Sequence, residues 1–264
     1  MFTFTNYYLP NSLDEAHEEL MKNKKNIILG GTSYLRMSDV NYNTAIDLSN
    51  LGLNYIKEDS EYIYIGAMAT FRDVETNPLL KKYFNGIIPK SLEFILGVQF
   101  RNNVTVGGSV FSKYGFSDFI PTLLALETQV TLYKNKTMSL EKFLETPMNL
   151  RDILVEIKIK KNNSLGIYRS VRKSKTDYPI VNLAIVKNNE NDFKIAIGSR
   201  PGKAILFKEL MNFLKEKKSL DKNILQELLK TVSFDDNMRG SKEYRELLVL
   251  NLLYSILKED FQCC

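Results

Sequence analysis

The fold is decided by the stretch Arg101-Asn102-Asn103-Val104-Thr105-Val106-Gly107-Gly108-Ser109. A similar stretch, Ile27-Ile28-Leu29-Gly30-Gly31-Thr32-Ser33, occurs far upstream. Each reads as an apolar strand that runs straight into a Gly-Gly pair, followed by a hydroxyl residue. Glycines let backbone N–H groups approach a ligand closely, and the hydroxyls add further donors. The sequence therefore predicts either two tight turns or two loops that close on one anionic ligand, such as a diphosphate.

Two familiar nucleotide motifs are excluded. Neither glycine pair forms the dinucleotide fingerprint G-x-G-x-x-G at the start of a helix. The segment 198–204 looks like a phosphate-binding loop, but it is one residue short. It also has Ala204 where such a loop needs Ser or Thr to reach magnesium.

The composition is that of an ordinary globular protein, with 44% hydrophobic and 25% charged residues in a chain of 264. The net charge of +5 comes from scattered lysines rather than from one basic face with interleaved aromatics, so we expect no nucleic-acid partner. No stretch reaches the ~20 apolar residues of a membrane span. The N-terminus lacks a basic region followed by an apolar one. These features predict a cytoplasmic protein without membrane insertion.

Cysteine and histidine usage excludes several kinds of site. Cys263 and Cys264 are the only cysteines and are adjacent, so this chain cannot form a disulfide framework, a zinc site or a four-thiolate iron–sulfur site. We expect them to be reduced thiols. His17 is the only histidine and lies on an acidic predicted helix, which excludes histidine-dependent triads. No catalytic and no metal-ligating residue is predicted.

The pattern of apolar residues changes near residue 160. Before it, short predicted strands alternate with short helices, which we divide into subdomains of about 1–55 and 56–160. After it, strands predicted at 166–171, 179–186 and 193–197 are joined by short polar turns, which favours an antiparallel meander. The last part has helical spacing at 204–214, 224–229 and 244–257. We therefore predict an α+β fold with domains 1–160 and 161–264.

Two charged residues have both a structural and a functional interpretation. Asp118 precedes an apolar predicted helix, where an Asp cap would contribute ~1 kcal/mol; alternatively, its carboxylate accepts hydrogen bonds from ribityl hydroxyls. Arg169 lies in the basic strand 168–173, which is either a solvated face or a source of positive charge near a flavin. Such a charge would stabilise an anionic reduced ring.

Together these stretches resemble the FAD-binding (medium) subunit of the molybdenum hydroxylase family, which includes xanthine dehydrogenases and aerobic carbon monoxide dehydrogenase. The order and spacing of the motifs span nearly the whole chain and are most similar to bacterial purine-hydroxylase-type subunits. The matching motifs are Leu-Gly-Gly-Thr-Ser at 29–33, Ile-Gly-Ala at 65–67, Arg-Asn-x-x-Thr-Val-Gly-Gly-Ser at 101–109, Ser-Asp-x-x-Pro-x-Leu-Leu-Ala-Leu at 117–126 and Asp-x-x-Arg-Gly-Ser-x-x-Tyr-Arg at 236–245.

The resemblance implies an FAD-binding fold of the PCMH type. Two α/β subdomains would be followed by a smaller domain of the CO dehydrogenase flavoprotein type, with a three-stranded antiparallel sheet and a helical bundle. It also implies a set of FAD-binding residues: Ile27, Ile28, Leu29, Gly30, Gly31, Thr32, Ser33, Tyr34, Ile95, Val104, Thr105, Gly107, Gly108, Ser109, Asp118, Leu154 and Arg169.

Within that set, residues 27–34 would wrap one side of the diphosphate, and the hydroxyl and glycine residues of 105–109 the other. Asp118 would hold the ribityl or ribose hydroxyls, and Leu154 would pack near the flavin or adenine. The chain departs from the family at four positions. Ile95 stands where some relatives have Phe beside the flavin ring, Ile180 where they have Lys, Ser109 where Asn is commoner and Ser33 where Asp is commoner.

The resemblance further implies an electron-transfer role. FAD bound here would take electrons from [2Fe–2S] clusters on one partner subunit and pass them to NAD⁺, while a molybdenum-cofactor subunit oxidises the substrate. Two alternatives remain. One is a non-catalytic scaffold of the same fold that lost FAD. The other is an independent flavin reductase, like that acting on UDP-N-acetylglucosamine enolpyruvate, for which no paired Ser and Glu motif is found.

Overall fold

The computed structural model describes residues 2–33, 35–188, 192–216 and 219–262. Tyr34, Cys263 and Cys264, which the sequence analysis names, lie outside the described residues. The chain forms two compact units. Unit 1 consists of Met1–Asn77, Leu96–Ser112 and Glu127–Lys161, and unit 2 consists of Pro78–Ile95, Lys113–Leu126 and Asn162–Cys264.

Short strands and helices follow one another along the first half of the chain. They are β1 (Thr3–Tyr8), α1 (Leu13–Lys22), β2 (Ile27–Leu29), β3 (Asn41–Asp47), β4 (Ile56–Glu58), β5 (Tyr62–Gly66), α2 (Phe71–Thr76), α3 (Pro78–Lys82), α4 (Ile87–Leu92), α5 (Val98–Arg101), α6 (Val106–Phe111) and α7 (Phe119–Ala125). Short 3₁₀ turns lie at Leu35–Met37, Ser49–Leu51 and Phe84–Gly86.

The second half begins with strands and ends with helices. Its elements are β6 (Gln129–Leu132), β7 (Lys136–Ser139), α8 (Leu140–Glu145), β8 (Leu154–Lys160), β9 (Leu165–Val171), β10 (Val181–Lys187), β11 (Phe193–Gly198), β12 (Ile205–Leu206), α9 (Lys208–Lys215), α10 (Lys222–Leu229) and α11 (Lys242–Ser255). A π-helical turn at Ile256–Asp260 continues α11.

Unit 1 contains one parallel and one antiparallel sheet. The parallel sheet has the strand order β1-β3-β2, and the antiparallel sheet has the order β4-β5-β8-β6-β7. In the antiparallel sheet, Ile63 and Ile65 on β5 pair with Ile159 and Ile157 on β8, and all four side chains are fully buried. This alternation places one face of the sheet in the core and the other toward polar surroundings.

Unit 2 contains an antiparallel sheet with the order β12-β11-β10-β9. Apolar side chains of this sheet, such as Leu183 and Ile195, form one core with α9, α10 and α11, including Leu210 and Leu253. Helix α7 packs against β10 and β11. The predicted α+β class and the antiparallel meander after residue 160 are confirmed.

One helix start differs from the prediction. The helix expected from residue 204 begins at Lys208, because Ile205 and Leu206 first pair with Ile197 and Ala196 as β12. A two-residue strand is too short for a period of two to show in the sequence. Among the described residues, no helix has the length and apolar character needed to cross a membrane.

Candidate functional site

The two Gly-Gly segments lie in direct backbone contact within unit 1. A Cβ atom built on Gly108 would lie 2.5 Å from the carbonyl oxygen of Gly30. One built on Gly30 would lie 3.0 Å from the Cα atom of Gly108. A side chain at Gly108 would therefore push the segments apart. One glycine from each pair permits this approach between two segments that are distant in sequence.

The first segment has the predicted form, a strand (β2) that ends at a glycine pair. The second segment does not, and the prediction of a strand running into Gly107 is wrong. Thr105 instead caps α6, and its hydroxyl accepts a hydrogen bond from the Gly108 N–H at 3.2 Å. The Gly107 N–H donates to the carbonyl of Ala67 at 2.8 Å. A Cβ on Gly107 would lie 2.7 Å from the Cβ of Ala67, so this glycine permits the helix to pack against the end of β5.

The turn after β2 presents backbone donors. Gly31 has φ +73° and Thr32 has φ +58°, both in the left-handed region. A Cβ on Gly31 would lie 1.8 Å from the carbonyl oxygen of Asn103. Within the described residues, the backbone N–H groups of Gly31, Thr32 and Ser33 have no hydrogen-bond acceptor. Successive N–H groups in such a turn are suited to an anion.

A cavity of about 610 Å³ in unit 1 is lined by both glycine segments. Its size lies within the range of small-molecule sites. Gly31 is not part of the lining, and Tyr34 lies outside the described residues. The predicted site residues that line the cavity are Ile27, Ile28, Leu29, Gly30, Thr32, Ser33, Val104, Thr105, Gly107, Gly108, Ser109 and Leu154.

Sequence reasoning missed a polar wall of this cavity that comes from residues 151–152 and Lys24. The Asp152 carboxylate accepts hydrogen bonds from the backbone N–H groups of Asn135 at 2.9 Å and Lys134 at 3.1 Å. The Arg151 guanidinium donates to the carbonyls of Lys24 at 3.0 Å and Asn23 at 2.9 Å. Arg151 thereby joins this wall to the chain after α1, and no motif in the sequence marks it.

Asp118 belongs to unit 2, where it is 5% exposed. It does not cap α7 with its side chain; the neighbouring Ser117 hydroxyl accepts from the Phe119 N–H at 3.2 Å instead. The Asp118 carboxylate accepts hydrogen bonds from the Tyr168 hydroxyl and the Arg172 guanidinium. Burial raises the pKa of Asp118, while Arg172 and Tyr168 act in the opposite direction.

The period of two along β9 and into the residue after it places Tyr168, Ser170 and Arg172 on one side of the chain, but it does not show that this side meets Asp118. Arg169 and Ile95, the other predicted residues of unit 2, are placed differently. The Arg169 side chain is 53% exposed and lies 3.8 Å from Asp260. Ile95 is half-buried. Among the described residues, no group of His, Cys, Asp or Glu side chains is arranged to hold a metal ion.

Comparison with known protein families shows to which family the chain belongs. The sequence model described as the FAD binding domain in molybdopterin dehydrogenase matches residues 2–159. The chain belongs to this family. A second model, described as the CO dehydrogenase flavoprotein C-terminal domain, matches residues 166–260. The chain is therefore a flavoprotein-type subunit of the molybdenum-dependent oxidoreductases, and the resemblance stated from the sequence is confirmed.

Relatives of this FAD-binding family are similar over nearly the whole chain. The glyceraldehyde dehydrogenase medium chain of Sulfolobus acidocaldarius is 25% identical over 96% of this chain and 97% of its own length. The uncharacterized protein YgfM of Escherichia coli K12 is 24% identical over 97% of this chain and 96% of its own. A solved structure of carbon monoxide dehydrogenase from Hydrogenophaga pseudoflava superposes with a TM-score of 0.86, at 19% identity, over 98% of both chains. That likeness establishes the fold.

Proposed function

We propose that this chain binds FAD in the cavity of unit 1 and serves a molybdenum hydroxylase complex as its electron-transfer subunit. It would take electrons from [2Fe–2S] clusters on one partner and pass them to NAD⁺, while another partner carries the molybdenum cofactor. The observation that carries the proposal is the backbone contact between Gly30 and Gly108 at a cavity of about 610 Å³. The family match and the name of the medium-chain relative support the same role.

The residues of the cavity fit the diphosphate of FAD. The N–H groups of residues 31–33 have no acceptor in the described chain, so they can donate to phosphate oxygens. The hydroxyls of Thr32, Ser33 and Ser109 likewise have no hydrogen-bond partner within the described residues. Lys24 adds a positive charge. We infer that residues 27–34 hold one side of the diphosphate and residues 104–109 the other.

Leu154 would then pack against an apolar ring of the cofactor. It is 4% exposed and lines the cavity with Leu20, Leu48 and Met68. For Asp118 to hold ribose or ribityl hydroxyls, its carboxylate has to accept bonds besides those from Tyr168 and Arg172. A carboxylate has about four lone-pair sites, so its acceptor capacity allows this. We also propose that Ile95 and Arg169 contact the flavin ring.

When bound, FAD supplies exchange between one-electron and two-electron carriers, and the protein supplies position and electrostatic environment. The two tail cysteines cannot ligate an iron–sulfur cluster by themselves, so the clusters belong to another chain. We also propose that residues 1–160 form the FAD-binding domain and residues 161–264 the C-terminal domain, and that the complex is cytoplasmic.

The test is purification of the full chain followed by titration with FAD. We expect one FAD per chain, with the visible absorption of bound flavin, and NADH-dependent reduction of an artificial dye by the loaded protein. Co-purification with its partners should add molybdenum and iron. A folded protein that is colourless once unbound FAD has been removed would refute the proposal and favour the alternative of a scaffold without FAD. Bound FAD without NADH oxidation would refute only the proposal that NAD⁺ is the electron acceptor.

A further inference from the structure

Unit 2 contains a second cavity, of about 560 Å³. One wall comes from α4 and from Glu93 and Phe94, which follow it. The other wall comes from the end of β9 and the loop after it, residues 168–175. The proposed function uses a single residue of this lining, Arg169.

The lining is strongly cationic. It includes Lys90, Arg169, Lys173 and Lys175, and Glu93 is the one carboxylate among the described lining residues. Within the described chain, Lys90, Lys173 and Lys175 form no ion pair with a carboxylate. Lysine ammonium groups that line a concave site without a paired carboxylate raise the local concentration of anions.

Arg172 adds a rigid, buried donor to the same cavity. Its side chain is 8% exposed, and it forms an ion pair with Asp118. Its Nη1 donates to the carbonyl of Asp177 at 2.6 Å, and its Nε donates to the hydroxyl oxygen of Ser170 at 3.2 Å. These three bonds leave up to two of its five N–H groups for a ligand. Asp118 therefore holds the guanidinium plane in place within the cavity wall.

We propose that this cavity binds the phosphate groups of a small phosphorylated ligand. Arginine presents a planar set of donors to phosphate, and lysine presents a mobile point charge, so both match phosphate oxygens. The Phe94 ring, with the Lys175 ammonium 5.3 Å from its centre, adds an apolar surface beside the cations. Arg169 is the one lining residue that the proposed FAD contacts also include, and none of the lining residues belongs to the cavity of unit 1.

The experiment is calorimetric titration of the full chain, loaded with FAD where it binds FAD, with pyrophosphate and separately with ADP. We compare the wild type with K90E/K175E, whose two exposed side chains line the cavity. Reversing two charges should weaken binding of both probes by roughly tenfold or more, and added salt should weaken wild-type binding. Tighter binding of ADP than of pyrophosphate would identify a nucleotide as the source of the phosphate. Equal affinity for ADP and pyrophosphate would identify a free phosphate anion as the ligand.

The matched control is K222E/K230E, the same charge change at the first residue of α10 and at the residue directly after its end, both in unit 2 and outside the cavity. It should bind both probes as the wild type does. The proposal is overturned if the wild type binds neither probe at millimolar concentration, or if K90E/K175E binds as tightly as the wild type. Flavin content is measured separately on each protein, so loss of FAD binding and loss of anion binding are told apart.

Discussion

Arg101 and Glu75 form a bidentate ion pair within unit 1. Arg101 Nε donates to Glu75 Oε2 at 3.0 Å, and Arg101 Nη2 donates to Glu75 Oε1 at 2.9 Å. Arg72 adds a third contact, from Nη1 to Oε2 at 2.8 Å. The pair joins α2 to α5, the helix that directly precedes the second glycine segment.

This pair should make the stability of the protein depend on pH. Burial acts to raise the pKa of Glu75, but hydrogen bonds from Arg101 and Arg72 outweigh it, and the pKa lies below its usual value of 4.5. A lowered pKa in the folded state means that the contribution is fully present above pH 4.5 and is lost as pH falls through the folded value. We expect E75Q to cost about 1–3 kcal/mol at pH 7, and less as the pH falls below 4.5.

Urea unfolding of both proteins from pH 7 down to pH 3 measures this difference. E61Q, a change of the same type at an exposed residue, serves as the control and should leave the pH dependence of the wild type unaltered. If E75Q and the wild type lose stability in parallel on acidification, the ion pair does not contribute as described.

The contact between Gly30 and Gly108 should not tolerate a methyl group. In G108A the new Cβ would lie 2.5 Å from the Gly30 carbonyl, so the two segments must separate. We expect a loss of stability of about 1–3 kcal/mol, as for other overpacked sites. FAD affinity should fall by roughly tenfold, which corresponds to about 1.4 kcal/mol. Equilibrium dialysis with FAD and urea unfolding measure the two effects.

G97A is the control for G108A. A Cβ on Gly97 would meet only the end of the flexible Gln99 side chain, at 3.2 Å. We expect its FAD affinity to match that of the wild type. Equal FAD binding by G108A and G97A would show that the glycine contact is not needed for the cofactor.

Alanine substitutions at Gly31 and Gly52 distinguish the cost of backbone strain from the cost of steric conflict. Both have positive φ, +73° and +65°, so alanine at either position should cost about 1–2 kcal/mol from the left-handed backbone alone. At Gly52 nothing lies within 4 Å of the new Cβ, whereas at Gly31 the Asn103 carbonyl oxygen lies 1.8 Å away. We expect G31A to be the more destabilised by about 1–3 kcal/mol in urea unfolding. We also expect only G31A to lose FAD affinity, and similar behaviour of the two variants would contradict the steric argument.

The sequence allowed either two tight turns or two loops that close on one ligand, because a Gly-Gly pair followed by a hydroxyl residue suits both. The structure brings Gly30 and Gly108 into contact. The form of the second segment was not predicted. Glycine has a low helix propensity, so the Gly-Gly pair gives no sequence signal that α6 begins there. That helix forms because Thr105 caps it and because tertiary bonds to residues 67–69 satisfy its first N–H groups.

The hydrogen-bond partners of Asp118 also could not be predicted from the sequence. Its sequence neighbours predicted a helix cap, which is a local interaction. Its actual partners, Tyr168 and Arg172, lie about fifty residues away and meet it only once β9 is in place. A single sequence shows the spacing of residues on β9 but does not show which distant side chain that face meets.

The buried pair of Asp118 and Arg172 should behave as a coupled unit. Removing one partner leaves the other charge buried and uncompensated, so we expect D118N and R172M each to cost about 3–5 kcal/mol. The double variant D118N/R172M removes both charges, so its cost should fall short of the sum by at least ~1 kcal/mol. Y168F keeps both charges and removes one hydrogen bond to the buried carboxylate, so it should cost about 1.5–3 kcal/mol. Urea unfolding of the four variants measures the coupling, and additive losses would show that Asp118 and Arg172 stabilise unit 2 independently.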